Sequence, residues 1–583
     1  MLLLRWNLFS SSQYNIYSKN RDEIHNLASL HVLNHVLTSR TRVQRHNRRI
    51  RELASARDGG GGGGGAPDAA GRGGGGGGDD DDDDVDRWRD QGYARPKVLV
   101  LLPTRGACRV FVESMVRLLG ASAIVDNMDR FRAEYGPAGG GGADGGGADG
   151  GGRDGGAAGG DLAGARRAAV LRQKGPEWNE LFGDDADDDD DFKTGLSLTP
   201  NYVGPPPPSS SSSGGGKKEK RAGRVGGGAS GGGGASSSGV NVKLCAEFYR
   251  SDIILASPIG LKMAISGKDG DNDDDDDGGG DDDADVDFLS SIDVCLVVRS
   301  DVLHMQNWDH VNTVLDSLNR QPRNVADVDF SRVRNYHLEG RGSDWRQLIL
   351  VSQFACPRVL STFRRHAKSV GGSLRMRRVV LPEDASVCDV AVRGGARQVF
   401  QRVACRAPSE AGSDRLRYFS EHVLPKLTRS GQKHTLVYVP SYFDFISLRN
   451  LLLKREADFV SVTEYARVSE VSRGRARFLQ GRKSIMLYTG RAHFFLRHRI
   501  KGARHVIFFG LPEYAEFYPA VVNMLNGGSP PGDAGEGVIS SMPMSCLSLF
   551  TKFDAHQLEG IVGTSNAERL IRPGEKSSFM FSS

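Results

Sequence analysis

Residues 294–308 read VCLVVRSDVLHMQNW. A short apolar run that stops at a charged turn reads as a buried strand of a parallel sheet, with Val294–Val298 inside and Arg299 at the exit. The segment after it predicts a helix beginning near Asn307. A strand ending in an acidic residue is how a nucleotide-hydrolysing α/β domain presents a carboxylate to magnesium. Whether Asp301 is such a carboxylate decides what kind of molecule this is.

Strand-turn-helix units of the same rhythm lie on both sides. Upstream, RPKVLVLLPTRGACRVFVESMVRLLG predicts a strand over 98–102 and an amphipathic helix over 107–119, and SDIILASPIGL predicts a strand over 253–256. Downstream, RQLILVSQF gives a strand over 348–351. A second series starts near residue 396 with HTLVYVPSYFDFISLRN and reaches a strand ending at Phe509. Strands alternating with helices predict parallel sheets flanked by helices, here in two consecutive α/β domains. The expected organisation is an N-terminal helical segment (1–56), a Gly/Asp linker (57–86), a first domain (87–365), a linker (366–395) and a second domain (396–575). In the N-terminal segment, Ile24, Leu27, Leu30, Val32, Leu33 and Val36 fall mostly on one helical face, and the stretch from Arg40 to Arg51 is basic.

Three long inserts, at about 136–163, 204–239 and 267–287, interrupt the first domain. Their Gly, Ser and Asp runs hold too little apolar surface to fold and are expected to be disordered. The acidic stretches 79–84, 184–191 and 271–287 contain 24 Asp and no Lys or Arg, so without them the formal charge of +4 becomes +28. A strongly basic folded portion is the footprint of a polyanion such as RNA. The seven Cys form no C-x-x-C pair, which argues against a zinc site and for a reducing compartment. The opening MLLLRWNLFSSS has too short an apolar part for a signal peptide, and no stretch has the roughly 20 apolar residues a bilayer span needs. A soluble, intracellular protein is expected, and since order begins in mid-domain the sequence does not fix whether Met1 is the true start.

The order of motifs resembles the two RecA-like domains of a DEAD-box RNA helicase. LLPTR (101–105) is similar to motif Ia, ASPIGL (256–261) to motif Ib, VSQF (351–354) to the Ser-Ala-Thr motif and LVYVPSYFDF (436–445) to motif IV. TGRAHFFLRHRIKGARHVIFFGLP (489–512) sits like motif V. More specifically, HVLNHVL, FLSSIDVCLVV, MQNWDHV, DFSRVRNYHL and IKGARHVIFFGLPEYAEFY resemble the digestive organ expansion factor family, also called the U3 small nucleolar RNA-associated protein 25 family, from about residue 20 to 570. That resemblance implies a nucleolar, nuclear protein of the small-subunit processome. Its implied partners are pre-rRNA, the U3 small nucleolar ribonucleoprotein and other processome proteins. It implies no membrane and a monomer within a large assembly.

The residues then qualify the helicase reading. No G-x-x-x-x-G-K-[ST] phosphate loop occurs, and residues 21–37, in the place of that loop and its helix, contain no Gly. Aligned on MQNW, the four D-E-A-D positions are Val298, Arg299, Ser300 and Asp301. An apolar and a cationic side chain therefore stand where magnesium would be held and water activated. Asp301 keeps the last position, where the resemblance implies an interdomain or local structural role; the plainer reading is a solvated strand-end Asp. Ser-Ala-Thr is Ser352-Gln353-Phe354, and no Arg follows GLPEYAEFYP in AVVNML. No catalytic residue, metal or cofactor is expected. RNA contact is expected at strand-end loops through Thr104, Arg105, Ser257 and Gly260, or these residues only cap helices. In the second domain it is expected through Arg475, Arg477, Arg491, Arg497, Arg499 and Lys501, cations interleaved with His493, Phe494 and Phe495. Trp308 reads as a packing anchor. The alternatives are an ATP-dependent helicase with an atypical nucleotide site and a nucleolar adaptor that binds only protein.

Overall fold

The computed structural model describes residues 7–11, 20–58, 88–136, 190–200, 239–266, 285–326, 328–377, 379–393, 395–429, 433–526, 544–574 and 576–582. The expected inserts and the Gly/Asp linker lie almost wholly outside them. One point differs at the margins. Asp287, assigned to an insert, is buried, and its carboxylate accepts from the Arg323 and Asn324 amides at 2.8–3.0 Å. DFKTGLSLTP (191–200), read as a short ordered element between two inserts, forms a strand over Lys193–Pro200.

Among the described residues the first sheet contains nine strands: β1 (Asn7–Ser11), β2 (Val98–Leu101), β3 (Ile124–Asp126), β4 (Lys193–Pro200), β5 (Val240–Ala246), β6 (Ile253–Ala256), β7 (Val294–Val297), β8 (Gln347–Ser352) and β9 (Ser373–Arg377). Their order is β3-β5-β4-β6-β2-β7-β8-β1-β9, with β4 antiparallel to both neighbours and every other pair parallel. The second sheet contains β10 (Arg397–Arg402), β11 (Thr435–Val439), β12 (Phe459–Val462), β13 (Ile485–Thr489), β14 (His505–Phe508), β15 (Ser545–Phe550) and β16 (Ser578–Ser582). It runs β12-β13-β11-β14-β15-β10-β16, and only β16 is antiparallel. Both sheets are flanked by helices, giving two tandem RecA-like α/β domains. The central strands β2, β6, β7, β8, β11 and β13 are buried throughout, as continuous apolar runs covered on both faces must be.

Helix α1 (Asn20–Asp58) crosses one face of the first sheet. Its inner stripe is His25, Ser29, Val32, Leu33 and Val36, spaced by three and four residues. Leu27 and Leu30, expected on that face, are 64% and 52% exposed. Polar anchors fix the helix along the amino-terminal ends of the strands: His31 Nε2 meets Gln347 Oε1 at 2.7 Å, His35 meets Asp293 at 3.3 Å and His46 meets Asp90 at 2.8 Å. Residues 12–19, outside the described residues, therefore connect a parallel strand to the start of its helix. That is the topological place of a phosphate loop, beginning nine residues earlier than the sequence reading put it, and SQYNIYSK contains no Gly.

Residues 366–395, expected as a linker, carry β9 on the first sheet and then place Ala385, Val387, Val390 and Val392 in the core of the second domain. The helix after β7, α2 (Ser300–Ser317), begins seven residues earlier than expected; its backbone is non-helical at Asn307, whose Oδ1 accepts from Asp309 N. Trp308 is fully buried and donates from Nε1 to Thr362 Oγ1 at 2.9 Å, the anchor the sequence suggested.

Candidate functional site at the domain junction

In parallel α/β sheets, function collects at the carboxyl ends of the strands. Here those ends in the first sheet are the loops after β2, β6, β7 and β8, and the loop after β7 faces the second domain. Val298 is 3% exposed and belongs to the first-domain core. Arg299 has a left-handed backbone (φ 56°, ψ 49°), which is uncommon without glycine and aims its side chain forward over the helix start. Its Nε and Nη2 donate to Asp301 Oδ2 at 3.2 and 2.9 Å. Ser300 is fully buried.

Asp301 is not a solvated strand-end residue: it is 0% exposed. Besides Arg299, its Oδ1 accepts from the Gln353 amide at 3.1 Å, and its Oδ2 accepts from the Tyr514 hydroxyl of the second domain at 3.1 Å. A buried carboxylate is tolerated only when paired and hydrogen-bonded, and this one has a cation and further donors from two domains. Burial, then the charge of Asp301, push the Tyr514 hydroxyl well above its ordinary pKa, so it remains a proton donor. Around it, Gln353 Nε2 donates to Glu516 Oε1 at 2.6 Å, Phe354 meets Tyr514 edge-on at 4.8 Å and His304 lies 3.6 Å from Glu513. Val302 joins the hydrophobic core of the second domain. The sequence reading quoted GLPEYAEFYP but gave Glu513, Tyr514 and Glu516 no role. The signal was a Tyr between two Glu just past a buried strand, facing the degenerate motif.

These side chains do not fit a magnesium–nucleotide centre. The position of the metal-holding acid is a core valine, the position of the water-activating acid is a guanidinium, and the remaining carboxylate is bonded to that guanidinium. Among the described residues no group of three or more His, Cys, Asp or Glu is arranged to hold a metal ion.

The expected RNA-contacting residues fall into three settings. Thr104 caps the helix Arg105–Leu119 by accepting from Ala107 N, and Ser257 caps Pro258–Ile265 by accepting from Gly260 N at 3.0 Å. Both hydroxyls are buried, while Arg105 Nη2 donates to the Asp191 carbonyl at 3.0 Å. A Cβ on Gly260 would lie 2.6 Å from the Phe192 carbonyl, so residues 190–192 run close between these two loops. Arg491, on the helix Gly490–Leu496, approaches Glu464 at 3.3 Å and stands 5.7 Å from the Phe495 ring centre. With Ser257, Pro258, Gln306, His310 and Tyr465 it lines a cavity of about 450 Å³ between the domains, so Ser257 and Arg491 do converge. Arg497 has a left-handed backbone (φ 45°) and covers the Phe517 ring at 4.5 Å. Arg475 donates to the Arg499 carbonyl at 2.7 Å, which brings those two together, and Arg477, Arg499 and Lys501 point to solvent. Phe494 is 1% exposed and a core residue, whereas Phe495 is partly buried. Burial, with Arg497 and His498 beside it, holds His493 well below the usual histidine range and therefore neutral.

Two family models match the chain. The NTP hydrolase-like domain of UTP25 matches residues 8–204 and 234–374, and the Utp25 C-terminal domain matches 389–581. Among curated proteins, the U3 small nucleolar RNA-associated protein 25 homolog of Mus musculus is 31% identical over 95% of this chain and 57% of its own length. The Arabidopsis thaliana Protein NUCLEOLAR FACTOR 1 is 30% identical over 85% of this chain and 56% of its own. The U3 small nucleolar RNA-associated protein 25 of Schizosaccharomyces japonicus is 29% identical over 96% and 68%. The chain thus spans little more than half the length of its plant and mouse relatives. A DEAD box protein of Methanococcus jannaschii is matched over 83% of this chain and 79% of that one at 10% identity, with a TM-score of 0.22. With models matching both sheets and relatives aligned across nearly the whole chain, the protein belongs to the Utp25 family.

Proposed function

We propose that this chain is a helicase-shaped, non-hydrolysing RNA-binding scaffold of the small-subunit processome, acting in the nucleolus in pre-18S rRNA processing and 40S subunit biogenesis. Membership of the Utp25 family supports the setting, since relatives are named for U3 small nucleolar RNA association and as a nucleolar factor. Its partners on this reading are pre-rRNA, the U3 small nucleolar ribonucleoprotein and other processome proteins, with the chain a monomer in that assembly.

One observation carries the non-hydrolysing part: the Arg299–Asp301–Tyr514 linkage uses the motif's surviving carboxylate to tie the two domains together. A nucleotide-driven helicase needs that junction free to open and close with its ligand. The adaptor reading has its own support in the exposed apolar side chains Phe443 (83%), Tyr465 (69%) and Val468 (84%) of the second domain, which suit a protein surface.

Calorimetric titration of Mg-ATP into the chain, with and without a pre-ribosomal RNA fragment, tests the proposal. No heat of nucleotide binding beside salt-dependent RNA binding is expected. Magnesium-dependent ATP binding in the micromolar range would restore the helicase, and RNA binding absent at every salt concentration would leave the adaptor.

A further inference from the structure

The basic stretch Arg40–Arg51 has no part in the junction, and it occupies the opposite edge of the first sheet. There the second half of α1 passes the amino-terminal ends of β7 and β8 and leaves two adjoining cavities. One, of about 610 Å³, is lined by Thr38, Arg42, Arg45, Arg49, His46 and Trp88. The other, of about 490 Å³, shares Arg42 and adds Arg89, Arg334, Tyr336 and Trp345. Residues 38, 42, 45 and 49 are spaced by three and four, so the helix presents them as one row over about three turns.

The charge in these cavities is one-sided. Among the described residues the one carboxylate lining either is Asp293, which is paired with Arg334 at 3.2 Å and His35 at 3.3 Å. Arg42, Arg45 and Arg49 are exposed. The aromatic groups are held firmly. Arg332 donates to the Trp88 carbonyl and grips Asp90 through Nη2 at 2.7 and 2.9 Å, and Asp90 in turn takes His46 of α1. Trp88 then packs edge-on against His46 at 5.2 Å. Trp345 is 41% exposed and stacks on Tyr336 at 5.3 Å, with Arg334 5.9 Å from the same Tyr ring. A row of solvent-exposed guanidinium groups flanked by anchored indoles matches a polyanion with planar groups, and single-stranded RNA is the polymer that has both.

We propose that this edge is a second single-stranded RNA track, with phosphates along Arg42, Arg45 and Arg49 and bases against Trp88 and Trp345. It goes beyond the function proposed above, sharing with it only that RNA is bound, because it lies at the other end of the strands from the domain junction.

The test is fluorescence anisotropy of a labelled single-stranded RNA on the full chain across about 50 to 200 mM salt. Three variants are compared: R42E/R45E/R49E, W345A, and the second-domain set R477E/R499E/K501E. The first is expected to weaken binding at least about tenfold and to lower the salt slope by about 2, at roughly 0.7 per lost phosphate. W345A, a substitution at an exposed residue that leaves the charge unchanged, is expected to weaken binding about fivefold or more with the slope unchanged. Circular dichroism checks the fold of each; W345A alone carries the test should the triple variant not fold. Wild-type affinity in both first-domain variants, with loss only in R477E/R499E/K501E, would overturn the second track and leave the RNA-binding function standing. No RNA binding by the wild-type chain would overturn both. Displacement of the RNA by polyaspartate at equal charge would assign the edge to an acidic protein partner instead.

Discussion

The two ends of strand β7 are each marked by a buried aspartate with an arginine, and the two pairs serve opposite purposes. At the carboxyl end Asp301 is closed in by Arg299, the Gln353 amide and Tyr514, and the second domain covers it. At the amino end Asp293 meets Arg334 and His35 beside an open cavity in which cations are in excess. Burial pushes the Asp293 carboxyl up, but Lys97, Arg334 and His35 outweigh it and hold it well below the usual carboxylate range. The carboxyl end, where a helicase does its chemistry, is thus committed to holding the molecule together. Exposed guanidinium groups lie instead at the other end, on Arg42, Arg45 and Arg49, and on the second domain, on Arg477 and Arg499.

Removing Asp301 should break this contrast most strongly. Asp301→Ala leaves Arg299 buried without its carboxylate, an expected loss of about 3–5 kcal/mol of stability. A urea midpoint unchanged from wild type would mean that the pair is not what holds the junction. Next in size is the response of the amino end to acid. Burial, then the neighbouring Lys97, lower the His337 pKa to about 3, and burial lowers His366 to about 4. Both are neutral in the folded chain at pH values where the unfolded chain takes up a proton. Stability is therefore full above pH 6.5 and falls as pH drops toward those folded values, by about 1.4 kcal/mol per pH unit for His337 and by less for the better solvated His366. His337→Gln should flatten the profile in that window, and an identical slope in the variant would remove His337 from the account.

Tyr514→Phe deletes one hydroxyl and keeps the ring against Phe354, so its effect should be smaller, about 1.5–3 kcal/mol for a hydrogen bond to a charged group. Its partner variant sharpens the point: in an Asp301→Ala background the same change should cost little, and full additivity in the double-mutant cycle would deny that the two groups interact. Smallest is Ser257→Ala, which removes a helix cap at about 1 kcal/mol. RNA affinity unchanged beside that loss would mark Ser257 as a cap alone, whereas weaker RNA binding at unchanged stability would make it a contact.

Much of this was legible in the chain itself. Continuous apolar runs such as VCLVV and TLVYV specify buried parallel strands, so the α/β class and the two-domain order follow directly. The substitution of Val298 and Arg299 for the acidic pair was also readable residue by residue. What could not be read was pairing across distance. Asp301 and Tyr514 are 213 residues apart, and neither carries a local sign of the other. The strand Asn7–Ser11 stayed hidden because its five residues, NLFSS, have little apolar character; it is held by partners β8 and β9 on both sides. The face of α1 was misjudged at Leu27 and Leu30 because buried His25 and Ser29 take the inner positions that hydrophobicity alone would give to leucines.

The central claim is that the two domains are joined without a nucleotide. Single-molecule energy transfer between dyes on exposed residues, one in each domain, measures this directly, with and without Mg-ATP. One compact population is expected, which Mg-ATP leaves unchanged and Asp301→Ala broadens. A chain that rests open and closes only when Mg-ATP is added would contradict it.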